Sequence, residues 1–308
     1  MATIVTITFS PCIDKSTTVP RLIPERKLKC NVPQLDPGGG GINVARALHN
    51  LGLQASAVFP SGGYTGKFFN HLLEKEGINS IIIESQNETR ENFIILEEAT
   101  AEQFRFGMPG TELKEKEWKA CLKAVEGIDS LDFLIASGSL PPGVPDDVYA
   151  QLARIAKSKN AKFILDSSGE PLKLAIEEGV YLMKPNLREF ISMYGMEDLS
   201  IDQISAAASE LVMNGKCTAV VISLGAGGAL LIQKDRAIQF HAPDVEMKST
   251  VGAGDSMLAG IIYSLVQGAD FSTAVQYGIA CGSAATMNQG TALCRKEDAD
   301  QLFKRMVE

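Results

Sequence analysis

Residues 132–166 read DFLIASGSLPPGVPDDVYAQLARIAKSKNAKFILD, and their pattern decides the fold. The stretch opens on a short apolar run, DFLIAS, and closes on another, KFILD, both strand-sized and rich in residues that suit a buried sheet. Between them a Gly-Pro turn leads into a segment whose apolar residues Leu152, Ile155 and Ala156 recur at helical spacing. Two buried strands joined by a helix form a crossover unit, which requires parallel strands. The same rhythm extends in both directions, with strand-like runs TIVTIT (3–8), ASAVF (55–59), SIIIE (80–84), VYLM (180–183) and AVVISL (219–224). No Pro-, Gly- or Ser-rich linker and no internal repeat interrupts it. The expectation is one α/β unit over residues 1–308: a doubly wound, mostly parallel sheet with helices on both faces.

Two segments break the rhythm. Residues 15–35 and 89–107 alternate polar and apolar without intervening helices, as in KLKCNV (27–32), ENFIILEE (91–98) and EQFRFG (102–107). They read as short antiparallel strands forming either a β lid or plain surface hairpins. Lids exclude water during group transfer.

Composition narrows the class of function. The chain has 308 residues, is 45% hydrophobic and 21% charged, and carries a formal charge of −8, which argues against a nucleic-acid partner. No apolar run reaches the ~18 residues of a membrane helix, and the N-terminus lacks the basic start of a signal peptide. Six cysteines show no paired spacing and no clustering with the three histidines, so a reduced, cytoplasmic protein without structural zinc is expected.

In an open parallel sheet, ligands bind beyond the carboxyl ends of the strands. The loops that follow the strand-like runs are SPCID (10–14), GSLPPG (138–143), SSGE (167–170), KPNLRE (184–189) and GAGG (225–228). Glycine, small hydroxyls and carboxylates thus gather on one edge. Four glycines, Gly38 to Gly41, precede another helical pattern; either the backbone turns tightly there, or something must approach it without a side chain in the way.

The sharpest element is STVGAGDSMLAGIIYSL (249–265). Met257, Leu258, Ile261, Ile262 and Leu265 share a helical face, so a helix begins near Asp255, with Gly252, Ala253 and Gly254 offering free amides at its N-terminus. Free N–H groups and the helix dipole there suit a phosphoryl group in transfer. Asp255 could accept a proton from an incoming hydroxyl, or could simply cap the helix. As a carboxylate at a helix start it is expected to have a low pKa. Neither a G-x-x-x-x-G-K-[ST] loop nor a G-x-G-x-x-G fingerprint is present.

GGGGINVARAL (38–48) together with GAGDS (252–256) resembles the two signatures of the PfkB family of ribokinase-like sugar kinases, and ASGSLPPG, DSSGE, KPNLRE and SLGAGGALLI match intermediate family blocks in order. The resemblance spans essentially the whole chain and implies an ATP- and Mg²⁺-dependent kinase. Asp255 would be the base on the sugar hydroxyl, with Gly252, Ala253 and Gly254 as anion hole. Asp14, Gly39, Gly40 and Asn43 would bind the acceptor sugar, the glycines letting it lie against bare backbone. Arg90 and Ser139 would hold the sugar phosphate, aided by Lys27 and Lys29 of the lid. Asp166, Asn186 and Glu189 would organise Mg²⁺ and its waters; Lys184, Asn186, Ser223, Gly225, Gly227 and Gly228 would serve the nucleotide. Backbone groups around Ser249, Val251, Ala285, Asn288 and Gly290 could hold K⁺. Ser249 stands where many family members have aspartate, which points to the phosphofructokinase branch, and Ala292 stands where a larger basic residue is expected. A homodimer through the lid strands is implied.

The acceptor expected is fructose 6-phosphate, phosphorylated at its 1-hydroxyl, because members acting on fructose 1-phosphate or tagatose 6-phosphate typically carry lysine in place of Gly40. Those two acceptors form the alternative, and a non-catalytic sugar-phosphate-binding regulator the remoter one. His49, His71 and His241 are expected to be structural or on the surface, Trp118 to be packing, and the run 114–119 to be a solvated helix face.

Overall fold

The computed structural model describes residues 2–196 and 199–308. In chain order the elements are β1 (Ile4–Ile7), β2 (Cys12–Val19), β3 (Gln34–Gly38), α1 (Gly40–Asn50), β4 (Ser56–Ser61), α2 (Gly63–Lys75), β5 (Asn79–Glu84), β6 (Arg90–Glu97), β7 (Gln103–Phe106), α3 (Glu115–Glu126), β8 (Phe133–Ser137) and α4 (Val148–Ser158). The second half adds β9 (Lys162–Asp166), α5 (Gly169–Glu178), β10 (Val180–Met183), α6 (Leu187–Met193), α7 (Ile201–Met213), β11 (Cys217–Ser223), β12 (Ala229–Gln233), β13 (Arg236–Phe240), α8 (Ala253–Val266), α9 (Phe271–Thr286) and α10 (Lys296–Val307).

All seven strand-like runs become strands of a nine-stranded sheet, ordered β13-β12-β11-β10-β9-β8-β1-β4-β5. Every pairing from β11 to β5 is parallel. A β12–β13 hairpin extends one edge antiparallel. Alternation along β8 shows how both faces are filled. Phe133 and Ile135 join the core beneath α1, α8 and α9, while Leu134 and Ala136 join the core beneath α3, α4 and α7. Trp118 packs into that second core, as expected. The run 114–119 is less solvated than its charge predicts, because Glu117 is buried and its carboxylate accepts from the amides of Lys114 and Gln86.

Strand β1 is the switch point: the chain leaves it toward β4 on one side and returns to β8 on the other. The lid grows from the carboxyl end of β1 as a second sheet, ordered β3-β2-β6-β7. It differs from expectation in two respects. Its β2–β6 pairing is parallel, with only the outer pairs antiparallel. Residues 27–32, read as strand from their alternation, form a largely exposed connection instead: the ladder of β2 and β3 closes at Ser16–Gln34, and beyond it Asn31 N still donates to Thr18 O of β2 at 3.0 Å without extending the strand. Strand β7 reaches back across the cleft, where Arg105 Nη2 donates to Thr250 Oγ1 at 2.6 Å and Gln103 Nε2 to Ser249 Oγ at 3.4 Å.

Candidate active site

Gly252 is the residue before α8 and takes a left-handed conformation, φ 73°, that favours glycine. Ser256 N is the first amide to bond back, to Gly252 O at 2.8 Å, so the amides of Ala253, Gly254 and Asp255 have no intrahelical acceptor and face the cleft end of the helix. Asp255 is not a cap. Its Oδ2 accepts from Asn43 Nδ2 at 2.9 Å, across 212 residues of sequence.

The expectation of a low pKa for Asp255 is overturned: its carboxyl is pushed up to about 7. Burial is the main cause, and the Asp166 charge adds to it, with a smaller contribution from Asp14; the Asn43 hydrogen bond and the Lys184 ammonium pull the other way without prevailing. A helix N-terminus is worth ~0.3–1 kcal/mol to a surface anion, too little to offset loss of water around a carboxylate. Only the cleft side of Asp255 keeps access to solvent.

Asp166 ends β9 and pairs with Lys184, which follows β10, at 3.2 Å. Lys184 is only 4% exposed, and a Cβ placed on Gly254 would lie 3.6 Å from its ammonium. Burial alone would lower the Lys184 pKa, but Asp166 and Asp255 together hold it above the ordinary value. The cation thus stands between two carboxylates at the mouth of the amide crown. Asn186 and Glu189 form a reciprocal capping box on α6: Asn186 Oδ1 accepts from Glu189 N at 2.9 Å, and Glu189 Oε2 from Asn186 N at 2.8 Å. Capping leaves Asn186 Nδ2 and Glu189 Oε1 free for a ligand. Burial raises the Glu189 pKa. Among the described residues no cluster of three or more His, Cys, Asp or Glu could hold a metal by itself.

On the acceptor side, Asp14 is buried and accepts from Asn92 Nδ2 at 2.9 Å and from the Cys12 thiol at 3.3 Å. Burial, then the Asp14 charge, pushes the Cys12 thiol well up. Asn92 was not foreseen; it lies in the lid and no local motif marks it. Arg90 donates to Met108 O at 2.8 Å and Ser10 O at 3.1 Å, so its guanidinium is largely fixed by backbone. Its Nε–H is buried and has no hydrogen-bond partner among the described residues. Ser139 is exposed at the mouth of the cleft. Lys27 and Lys29 lie on the exposed connection between β2 and β3, not on a lid strand.

The glycine run has neighbours within the protein itself. A Cβ on Gly38 would lie 2.2 Å from Asp14 Oδ2, one on Gly40 2.2 Å from Ser137 Oγ, and one on Gly41 2.6 Å from Ile7 O. Gly39 has φ 112°. The glycines bring the start of α1 against the ends of β1 and β8 and against Asp14; the close approach they allow is to the protein's own backbone and side chains.

Beside α8 lies a largely apolar cavity of about 450 Å³. Of the residues expected to serve the nucleotide, Ser223, Gly225 and Gly228 line it and Gly227, Lys184 and Asn186 do not. No sequence pattern marks its other wall, formed by Ala242, Pro243, Val245 and Met247 with Ser283 and Thr286 of α9, because the segment before α8 has no periodic pattern. Of the residues expected around K⁺, Ser249 Oγ donates to Gly290 O at 2.6 Å and accepts from Val251 N at 3.2 Å, while Asn288 N bonds Ala285 O at 3.1 Å at the end of α9. A separate cavity of about 500 Å³ lies against α10 and includes Ala292, Arg46, Glu76 and His49, away from Asp255. His71 and His241 are exposed.

The sequence matches the pfkB family of carbohydrate kinases over residues 6–298. It is similar to the ATP-dependent 6-phosphofructokinase isozyme 2 of Escherichia coli (strain K12), with 42% identity over 304 residues covering 98% of each chain. The 1-phosphofructokinase of Bacillus subtilis (strain 168) is 29% identical over 286 residues, 93% of each chain. The solved structure of Escherichia coli phosphofructokinase-2 in complex with potassium matches with a TM-score of 0.96 at 42% identity, covering 100% of both chains. The tetrameric inhibited form of that enzyme matches at 0.94 and 40%, again over 100% of both.

Proposed function

The chain belongs to the pfkB family of carbohydrate kinases, and from that premise we propose that it transfers the γ-phosphoryl group of ATP to the 1-hydroxyl of fructose 6-phosphate. The observation that carries the reading is Asp255, held by Asn43 beside three unpaired helix amides, with a pKa of about 7. A base near neutrality combines availability with proton affinity, which a strongly acidic carboxylate would lack. Asp255 accepts the proton of the sugar hydroxyl as the oxygen attacks; the amides of Ala253, Gly254 and Asp255 face the charge on the transferring group. Lys184 keeps Asp255 and Asp166 from repelling the incoming phosphates. Asp166, Asn186 and Glu189 would hold Mg²⁺ and its waters, and the ion would supply charge neutralisation on the phosphates. The apolar cavity beside α8 suits the base and ribose of the nucleotide.

Asp14, Asn43 and the backbone at Gly39 and Gly40 would seat the sugar, and the guanidinium of Arg90, held in place by Met108 O and Ser10 O, would meet the 6-phosphate, with Ser139, Lys27 and Lys29 at the rim. Greater identity to a 6-phosphofructokinase than to a 1-phosphofructokinase supports this acceptor over the alternative. K⁺ would sit among backbone carbonyls of the cluster around Ser249, where Gly290 O is already turned to a hydroxyl donor. The whole chain, 1–308, works as one kinase unit with its lid, and two copies pair through lid strands. No helix among the described residues is long and apolar enough to cross a membrane, and all six cysteines are unpaired, in keeping with a cytoplasmic setting.

A coupled assay of ADP release across free and phosphorylated sugars tests the acceptor. Fructose 6-phosphate is expected to give the highest kcat/KM by at least about tenfold, which needs only ~1.4 kcal/mol of differential transition-state binding. Faster turnover of fructose 1-phosphate or tagatose 6-phosphate would transfer the assignment to the alternative.

A further inference from the structure

Arg46 is buried, 7% exposed, and lies one helical turn after Asn43 on α1. Its guanidinium is fixed on three sides. Nε and Nη2 donate to the two carboxylate oxygens of Glu76 at 2.6 and 2.7 Å, a forked pair with the residue that ends α2. Nη1 donates to Pro37 O at 2.8 Å, the carbonyl directly before the glycine run. The same Nη1 lies 3.5 Å from Asn43 Oδ1, and Nη2 lies 3.8 Å from Asp36 Oδ1. Of this set, Asn43 is the member that reaches Asp255.

We infer that Arg46 is a positioning residue for phosphoryl transfer, setting the polarity of the Asn43 amide that holds the catalytic carboxylate. The inference rests on the reading of Asp255 as the base. A side-chain amide can present either its oxygen or its nitrogen to a given neighbour. A guanidinium can only donate, so a fixed cation beside Asn43 draws Oδ1 to itself and turns Nδ2 toward Asp255. Nδ2 donating to Asp255 Oδ2 favours the ionised carboxylate, the form that can take a proton. With the amide reversed, Oδ1 would face the carboxyl and tolerate it only as the neutral acid. The other groups facing Asp255 are Asp166 and Asp14, which disfavour ionisation, and Lys184, which favours it. Asn43 is thus one of only two neighbours that hold the base in its working form. The Glu76 fork stops the guanidinium from swinging away, because both of its outer donors are committed. The chain of contacts runs Glu76, Arg46, Asn43, Asp255, from the end of α2 to the start of α8.

The test is the pH dependence of kcat/KM for Arg46→Met, Arg46→Lys, Asn43→Ala and the double variant Arg46→Met/Asn43→Ala, each with its Tm. In Arg46→Met the acid limb should move up by about one pH unit, with kcat/KM about fivefold lower at neutral pH and about tenfold lower well below it, and Arg46→Lys should recover part of the shift. Asn43→Ala should move the limb likewise, and adding Arg46→Met to it should move the limb no further. The relay is overturned if Arg46→Met lowers Tm and leaves the limb in place, or if it shifts the limb as much without Asn43 as with it. If Arg46→Met fails to fold, Glu76→Gln takes its place, since the Glu76 side chain is 35% exposed and loosens the fork without removing the cation. It should move the limb in the same direction, and an unmoved limb overturns the relay. Asp255→Asn separates the two readings: normal turnover in that variant ends the base assignment, whereas loss of turnover with a limb indifferent to Arg46 ends the relay alone.

Discussion

Replacing Asp255 by Asn should make the protein more stable and nearly inactive, and the stability gain should depend on pH. The folded carboxyl titrates at about 7 against an ordinary value of 3.8. The native state therefore holds a proton that the unfolded chain releases at lower pH. Stability falls as pH rises from ~4 to ~7 and stays reduced above that, because the folded carboxylate is then ionised in its buried setting. About three units at 1.36 kcal/mol each gives a ceiling of roughly 4 kcal/mol. The carboxyl opens on its cleft side to solvent, which screens part of this, so about 2 kcal/mol is the working figure. Asparagine keeps the size and a hydrogen-bonding group toward Asn43 but never ionises. Urea unfolding of both proteins at about pH 8 should show the variant ahead by that margin, and at about pH 5 the margin should shrink to less than half. In parallel, kcat should fall by about 10²-fold or more, since no carboxylate remains to take the hydroxyl proton. A stability difference that is the same at both pH values would refute the reasoning, because it would mean that the Asp255 carboxyl is not held above its ordinary range.

Lys184→Met should lower kcat/KM by about 10²-fold and move its acid limb up by about one unit, because Asp166 and Asp255 then face each other without the cation between them; an unmoved limb would remove Lys184 from the electrostatics of the base. Lys27→Ala with Lys29→Ala should raise the KM for fructose 6-phosphate severalfold and leave Tm within about a degree, since both side chains are exposed; an unchanged KM would make them plain surface residues. Gly40→Lys should cost about 1–3 kcal/mol in urea unfolding before it alters acceptor choice, because its Cβ would meet Ser137 Oγ at 2.2 Å and Ser137 C at 2.8 Å. A stable variant with shifted acceptor preference would return residue 40 to the specificity role that the sequence suggested.

What was legible in the sequence is what short-range pattern controls. Seven strands and their parallel order followed from apolar runs separated by helical spacing, and the strand-end loops gathered on one edge because topology leaves them no other place. The lid was legible only in part. Alternation marked ENFIILEE and EQFRFG correctly, yet the same alternation in KLKCNV produced no strand, because a strand needs a partner and β3 pairs with β2 only from Gln34 onward. The glycine run shows a different limit. Its composition announced that something lies close to the backbone, and the structure supplies the neighbours: Asp14, Ser137 and Ile7, all from other elements. A sequence records that a side chain is absent without recording what fills the space. The two glycines nearest the base make the same point, since Gly254 faces the Lys184 ammonium and Gly252 abuts Leu293.

The electrostatics of the base lay furthest from the sequence. Reading GAGDS alone, the one known influence on Asp255 was the helix dipole, which lowers a pKa. The groups that decide the outcome come from four separate elements: Asn43 on α1, Asp166 at the end of β9, Lys184 after β10 and Asp14 on β2. None is within 70 residues of Asp255 in the chain. Burial first, then the Asp166 and Asp14 charges, reverses the sign expected from the helix alone, against the pull of Asn43 and Lys184. That reversal also explains why a loose phosphoryl transition state, which asks little of a base, is served by a carboxylate poised near neutrality. In the proposed mechanism the amide crown and Lys184 receive the phosphates and are packed closely round the transfer site, and the same packing strips water from Asp255. A raised pKa is then a consequence of building the anion site, and Asn43 and Lys184 are what keep the carboxylate available despite it.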